Sequence, residues 1–162
     1  MSNFFIRPIQ KKDNASVAAV IRTVMTSYGA VGEGFSIEDP EVDQMFEYYQ
    51  GPKSIMYVLE GKNGEILGCG GFAPLKGGNS DTCELRKMYF LSESRGKGLG
   101  RKMLEMSLNA AKDAGFKKCY LESLEHMEAA KRLYEKAGFL PLACPLGDTG
   151  HSACDSYYLK EL

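Results

Sequence analysis

The mostly apolar run Phe4-Phe5-Ile6-Arg7-Pro8-Ile9 predicts a short opening strand. The pattern then changes. Val17, Val20, Ile21 and Val24 recur at helical spacing behind the N-cap candidates Asp13-Asn14-Ala15-Ser16, and the helix is expected to end near Gly29. After a glycine-rich loop over residues 29–36, Asp39-Pro40 pairs an N-cap acid with proline at the first helical position, predicting a second short helix through Tyr48 that Gly51-Pro52 closes. Two β-type runs, 55–59 and 65–72, flank Lys62-Asn63-Gly64, and Asn-Gly between such runs predicts a hairpin. A further strand, 83–91, follows the loop 74–81.

From there the pattern becomes strand, loop, helix. Leu99, Met103, Met106 and Ala110 share one face of a helix over 99–114, and Leu104, Leu108 and Ala111 widen it, so the helix is expected to pack on a sheet. Gly115 stops it. A strand at 119–124, a helix at 127–137 ended by Gly138, and closing strands at 139–143 and 154–159 complete the chain. No repeat and no linker divides it, so the expectation is one α/β domain over residues 1–162.

Composition narrows the function classes. With 44% hydrophobic and 25% charged residues over 162 positions, the chain has enough apolar surface to form a core. A formal charge of -1 argues against nucleic acid as a partner, because it offers no global basic excess to neutralise phosphates. No apolar run approaches the roughly 18 residues of a membrane span, and the opening Met1-Ser2-Asn3-Phe4 has no signal-peptide pattern, so no membrane and a cytoplasmic location are expected. Cys69, Cys83, Cys119, Cys144 and Cys154 are odd in number and scattered, which fits reduced, packed thiols. Cys144, His151 and Cys154 are the one grouping suggestive of zinc, at a spacing that matches no standard pattern, and no metal is expected.

Candidate chemistry concentrates in Arg95-Gly96-Lys97-Gly98-Leu99-Gly100, where a strand hands over to a helix. Glycines let backbone N–H groups approach an anion, the helix N-terminus adds positive dipole, and Lys97 and Arg95 add charge. The run lacks both the Walker spacing and the Gly-x-Gly-x-x-Gly spacing of dinucleotide folds. Read on composition alone, it is equally a flexible basic turn capping a helix.

Arg95-x-x-Gly98-x-Gly100 resembles the Gln/Arg-x-x-Gly-x-Gly/Ala signature of the GNAT superfamily of N-acetyltransferases. A second block, Met127-x-x-Ala130-x-x-Leu133-Tyr134-x-x-x-Gly138-Phe139, is similar to the next motif of that family, and the resemblance extends over essentially the whole chain. It implies a mixed, mostly antiparallel sheet of about seven strands, splayed at the cofactor site and flanked by about four helices. It implies acetyl-CoA as cosubstrate, held by residues 95–100, by Met88, Tyr89 and Phe90 of the strand that pairs with pantetheine, and by Met127 and Tyr134. The family often has asparagine where Met127 stands, and methionine cannot supply that hydrogen bond to the pantetheine arm.

Acetyl transfer to an amine needs a free nitrogen lone pair, a donor for the developing oxyanion and an acid for the leaving thiolate. By the resemblance, Tyr134 is the acid, the backbone amide of Met88, opened by an irregularity in strand 83–91, is the oxyanion donor, and Glu84 is a base, acting directly or through water. Each has a plainer alternative. Tyr134 shares a helical face with Met127, Ala130 and Ala137 and reads as a core aromatic, while Met88 reads as core filler. Alternation puts Glu84, Arg86 and Met88 on one face of their strand, so Arg86 could hold Glu84 in a structural pair. Glu122 is the reserve base, and His126 reads as a helix-start residue.

Acceptor choice is expected in residues 29–43, which carry Glu33, Glu38, Asp39, Glu41 and Asp43, and in the loop 146–152. This acidic run either favours a cationic amine or is a solvated face. The expected activity is acetyl transfer to a primary amine of a small molecule or peptide, by direct attack through a tetrahedral intermediate, in a monomer or homodimer. The rivals are a non-catalytic acyl-CoA-binding module of the same fold and a protein that uses the loop for another phosphate ligand. Keeping both Glu84 and Tyr134 favours the enzyme.

Overall fold

The computed structural model describes residues 3–162 and contains a seven-stranded sheet. Strands β1 (Phe4–Pro8), β2 (Ile55–Gly61), β3 (Ile66–Pro74) and β4 (Thr82–Phe90) form an antiparallel run. β4 then pairs in parallel with β5 (Lys118–Ser123), β5 antiparallel with β7 (Ser156–Glu161), and β7 with the short β6 (Leu140–Leu142). The single parallel junction is the one spanned by α3 (Leu99–Asp113), because parallel neighbours need a crossover connection.

The apolar faces read from the sequence are the ones that pack. Val17, Val20, Ile21 and Val24 of α1 (Asn14–Ser27) are buried against Met56, Val58 and Cys69 on one side of the sheet. Met103, Leu104 and Ala111 of α3 are buried on the other, with Leu59, Phe72, Leu85 and Leu121. The short α2 (Met45–Tyr48) belongs to the α1 side, and α4 (Glu128–Lys136) follows β5. No helix among the described residues is long and apolar enough to cross a membrane.

Three local expectations change. The helix expected from Asp39-Pro40 through Tyr48 is instead a 3-10 turn over Pro40–Asp43 and then α2, broken at Gln44 with φ of -137°. Asp39 caps nothing there, because its carboxylate is taken up by distant cations. The last strand is shifted toward the C-terminus, to Ser156–Glu161, and Asp155 just before it accepts a hydrogen bond from the Glu125 amide at 2.8 Å.

The third change alters the site. Lys87 has a positive φ of 55°, and the β3–β4 register skips from Cys69↔Tyr89 to Gly71↔Arg86, so Lys87 and Met88 together oppose Gly70. A bulge of this kind inserts one extra residue and reverses the alternation beyond it. Met88 therefore packs with Cys83 and Leu85 on the α3 side, while Glu84, Lys87 and Tyr89 have their partners on the α1 side. The expectation that Glu84, Arg86 and Met88 share a face fails for Met88 for this reason.

Candidate active site

The parallel β4–β5 pairing lasts only from Thr82↔Lys118 to Glu84↔Tyr120. Beyond it the strands part, and a cavity of about 50 Å³ lies between Leu85–Tyr89 side chains and those of Leu121, Glu122, Ser123 and Leu124. Met88, Tyr89, Met127 and Tyr134 line this gap and also a cavity of about 280 Å³ walled by Phe90, Leu99, Leu133 and the glycine loop. Glu122 lines the gap and also a third cavity, of about 360 Å³, under the loop between β6 and β7. Shared walls thus connect the glycine loop to Glu122 through the split in the sheet.

At the loop, Gly96 and Gly98 have φ of 76° and 75°, a left-handed conformation that L side chains rarely adopt. A Cβ at either would meet nothing within 4 Å, so these glycines are required by backbone shape, and the space above them is open to a ligand. Gly98 is the N-cap of α3 and supplies no side-chain cap, which leaves the first-turn amides available to an anion. Arg95 and Lys97 are exposed, with Arg95 Nε donating to the Phe90 carbonyl at 2.9 Å and Lys97 Nζ to that of Glu93 at 3.1 Å. An anionic head over polar amides, with an apolar tail along Met88, Phe90 and Leu133, is what this cavity fits.

Tyr134 is both a core aromatic and a cavity wall. Its ring meets Phe139 edge-on at 5.9 Å and Tyr158 at 6.5 Å. Burial, with a smaller contribution from Cys119, raises its phenol above the ordinary value and keeps it protonated. Met127 is the N-cap residue of α4 and is buried at the mouth of the same gap.

Glu84 is buried and accepts a hydrogen bond from Arg86 Nε at 2.7 Å. Burial raises its carboxyl, with Arg86 pulling in the opposite direction. It lines none of the three cavities, whereas Glu122 lines two. Tyr120 Oη donates to Glu122 Oε2 at 2.6 Å and Thr149 Oγ1 donates to Oε1. Burial works against ionising Glu122, but His151, Thr149 and Tyr120 outweigh it and hold the carboxyl below its usual value.

The segments expected to choose the acceptor do meet. Ala153 N donates to Gly34 O at 3.1 Å, tying the β6–β7 loop to the segment after α1. Of the acidic run, Asp43 stays at the surface with Arg22, at 2.8 Å, whereas Asp39 turns inward. Lys87, only 1% exposed, places Nζ 2.6 Å from Asp39 and 3.7 Å from Glu41. A buried cation is costly unless paired, and removing one partner of such a pair costs about 3–5 kcal/mol, so the bulge that carries Lys87 is anchored to this segment. His151 completes the cluster, with Nε2 2.9 Å from Asp39 and Nδ1 3.6 Å from Glu122.

The sequence does not single out Lys87 or the pairing of Asp39 with His151; it offers His151 only within the loop 146–152 and beside Cys144 and Cys154. The His/Cys/Asp/Glu group that converges among the described residues is instead Glu84, Glu122 and His151, within 4.8 Å of one another. Arg86 and a protonated His151 supply positive charge to these carboxylates. His126 is an exposed ring on Tyr28, at 6.0 Å, outside this cluster.

Known proteins carry the same architecture. An acetyltransferase of the GNAT family from Staphylococcus aureus Mu50 superposes with a TM-score of 0.80 at 14% identity, covering 98% of each chain. The structure of yncA from Salmonella typhimurium, solved with its cofactor acetyl-CoA, gives 0.78 at 20% identity over 99% of this chain and 94% of that one. At the level of sequence, the uncharacterized N-acetyltransferase YjgM of Escherichia coli (strain K12) is 42% identical over 158 residues, which is 97% of this chain and 94% of that protein. The sequence model of the acetyltransferase (GNAT) family matches residues 19–139, a span that begins in α1 and runs through the glycine loop, the split strands and Tyr134 to Phe139. The split sheet, the uncapped glycine turn and these matches agree: the chain belongs to the acetyltransferase (GNAT) family.

Proposed function

We propose that this protein transfers the acetyl group of acetyl-CoA to a primary amine of a small molecule or peptide, as one domain in the reducing cytoplasm. The observation that carries the reading is the run of three neighbouring cavities along the β4–β5 split that share wall residues, with the glycine loop at one end, Tyr134 in the middle and Glu122 at the other. Bound acetyl-CoA supplies an acetyl group activated as a thioester.

The chain's own residues divide the rest of the work. First-turn amides of α3 and Arg95 hold the pyrophosphate, with Lys97 beside them. Met88, Tyr89, Phe90, Met127 and Leu133 wall the apolar arm, and methionine at 127 replaces a polar contact with packing. The extra residue of a bulge leaves the strand ladder, so the Lys87–Met88 irregularity is where a backbone N–H is free to polarise a carbonyl oxygen. Tyr134 holds a proton at Oη until a basic thiolate lies beside it, then gives it up.

The base is reassigned from Glu84 to Glu122. Glu84 is paired with Arg86 and lines none of these three cavities, while Glu122 lines two of them and is held ionised at the acceptor end. As the C–N bond forms, the nitrogen's N–H becomes acidic, and the Glu122 carboxylate receives that proton. One proton thus leaves nitrogen and one arrives at sulfur, so the transfer balances.

The test is thiol release from acetyl-CoA against a panel of amino acids, polyamines, aminoglycosides and peptide N-termini. Release that depends on one amine class supports transfer. Tight acetyl-CoA binding with no release across the panel would leave an acyl-CoA-binding module.

A further inference from the structure

The His151 side chain joins segments that the acetyl-transfer motifs do not reach. Its Nε2 proton goes to Asp39, on the segment that follows α1, and its Nδ1 faces Glu122 on β5. Thr149, two residues earlier on the same loop, donates to the same Glu122 oxygen, and the His151 amide leans back on Thr149 Oγ1 at 3.2 Å. On the far side, Lys87 fixes Asp39 to β4 at 2.6 Å. Four elements therefore meet at one imidazole that is half-buried over the acceptor cavity.

We propose that His151 is a positioning residue for the acceptor site: it clasps the Asp39 segment and the β6–β7 loop over Glu122, so that the acceptor pocket forms as one unit and Glu122 is held at its inner end. This rests on the acetyl-transfer reading above for its consequence in catalysis, but the clasp itself is a property of the free protein.

The groups around the ring decide how it responds to pH. Asp39 faces it from the segment after α1, Lys87 and Glu84 from β4 and Glu122 from β5. Burial and Lys87 oppose protonation, but the hydrogen bonds to Asp39 and Glu122 prevail and raise His151 from 6.5 to about 9. Because the folded value lies above the unfolded one, the clasp contributes in full below about pH 6.5 and is lost as pH rises through about 9. Throughout the neutral range the ring is a cation and therefore a tether; it is no base there.

Hydrogen exchange of the full chain tests this without any acceptor. In His151→Gln, amides of residues 30–43 and 145–154 are expected to exchange roughly tenfold faster together, the loss typical of one charge-assisted bond, while β1–β3 are unchanged. Wild-type protein should show the same paired loosening between pH 7 and pH 10, after correction for intrinsic exchange, and His151→Gln should not. Asp39→Asn, which breaks the clasp from the other side and also takes the close partner from Lys87, should loosen the same two segments by more than His151→Gln does. With an active acceptor, both variants should raise KM for the amine and leave KM for acetyl-CoA within about twofold. Exchange that stays at the wild-type level, or that rises evenly across the sheet, overturns the clasp. Thiol release from acetyl-CoA across the amine panel is measured separately, so failure of the transfer reading appears there and not in the exchange.

Discussion

On the side of the split sheet proposed to take the cofactor, the groups proposed to hold the anion are backbone amides inside the single run 95–100. On the acceptor side, Asp39, Lys87, Glu122 and His151 are side chains from separate segments, and the Asp39–His151 contact spans 112 positions. The first kind of site needs a left-handed backbone at Gly96 and Gly98, so it leaves a fixed spacing in the sequence. The second kind needs only that distant charges meet when the sheet forms, and leaves no spacing at all. On the proposed reading, cofactor binding is thus tied to the local chain, and acceptor choice to tertiary packing.

Substitutions that act on one side alone sharpen this contrast. The largest effect is expected for Gly98→Asp, which puts a side chain and a negative charge over the α3 N-terminus; acetyl-CoA affinity by calorimetry should fall about 100-fold or more. Nothing lies within 4 Å of the added Cβ, so the cost to folding is confined to the left-handed backbone, about 1–2 kcal/mol. Unchanged affinity would reduce the loop to a turn. Tyr134→Phe should lower kcat about 100-fold while acetyl-CoA affinity is kept, because the ring still packs against Phe139 and Tyr158. A lower melting temperature with wild-type turnover would make Tyr134 a core aromatic only.

The two glutamates separate next. Glu122→Gln should lower kcat/KM about tenfold near neutral pH, with recovery at high pH, where free amine is abundant. Glu84→Gln is expected to act through stability. It loses a charge beside Arg86, costs about 1–3 kcal/mol, and depresses activity slightly and equally at all pH values. A pH-dependent rate loss in Glu84→Gln, with an unchanged melting curve, would return the base to Glu84.

The elements themselves were largely legible. The α1 and α3 stripes, the Asn-Gly hairpin and the order of strands followed from hydrophobic spacing, because each is a local pattern of burial. The glycine loop and Tyr134 followed from motif resemblance, and both line the same cavity. What failed was alternation across Lys87: one left-handed residue re-aimed Met88, and neither lysine nor its neighbours advertise such a bulge. Asp39 looked like a helix cap because Asp-Pro is a strong local signal, yet Lys87 and His151 outbid that local role once burial made their charges need a partner. The acidic run was legible as charge but not as two populations, one solvated at Asp43 and one turned inward at the half-buried Asp39 and the buried Glu41.

The central claim is that one passage through the β4–β5 split joins cofactor to acceptor, and a crystal structure with CoA tests it most directly. The account predicts the pyrophosphate on the amides of residues 95–100 and the sulfur in the gap beyond Glu84 and Tyr120, within hydrogen-bond reach of the Tyr134 hydroxyl and open toward Glu122. Pyrophosphate bound away from that loop, for instance in the groove between α3, α4 and the end of β7, or a sulfur outside the gap, would contradict it.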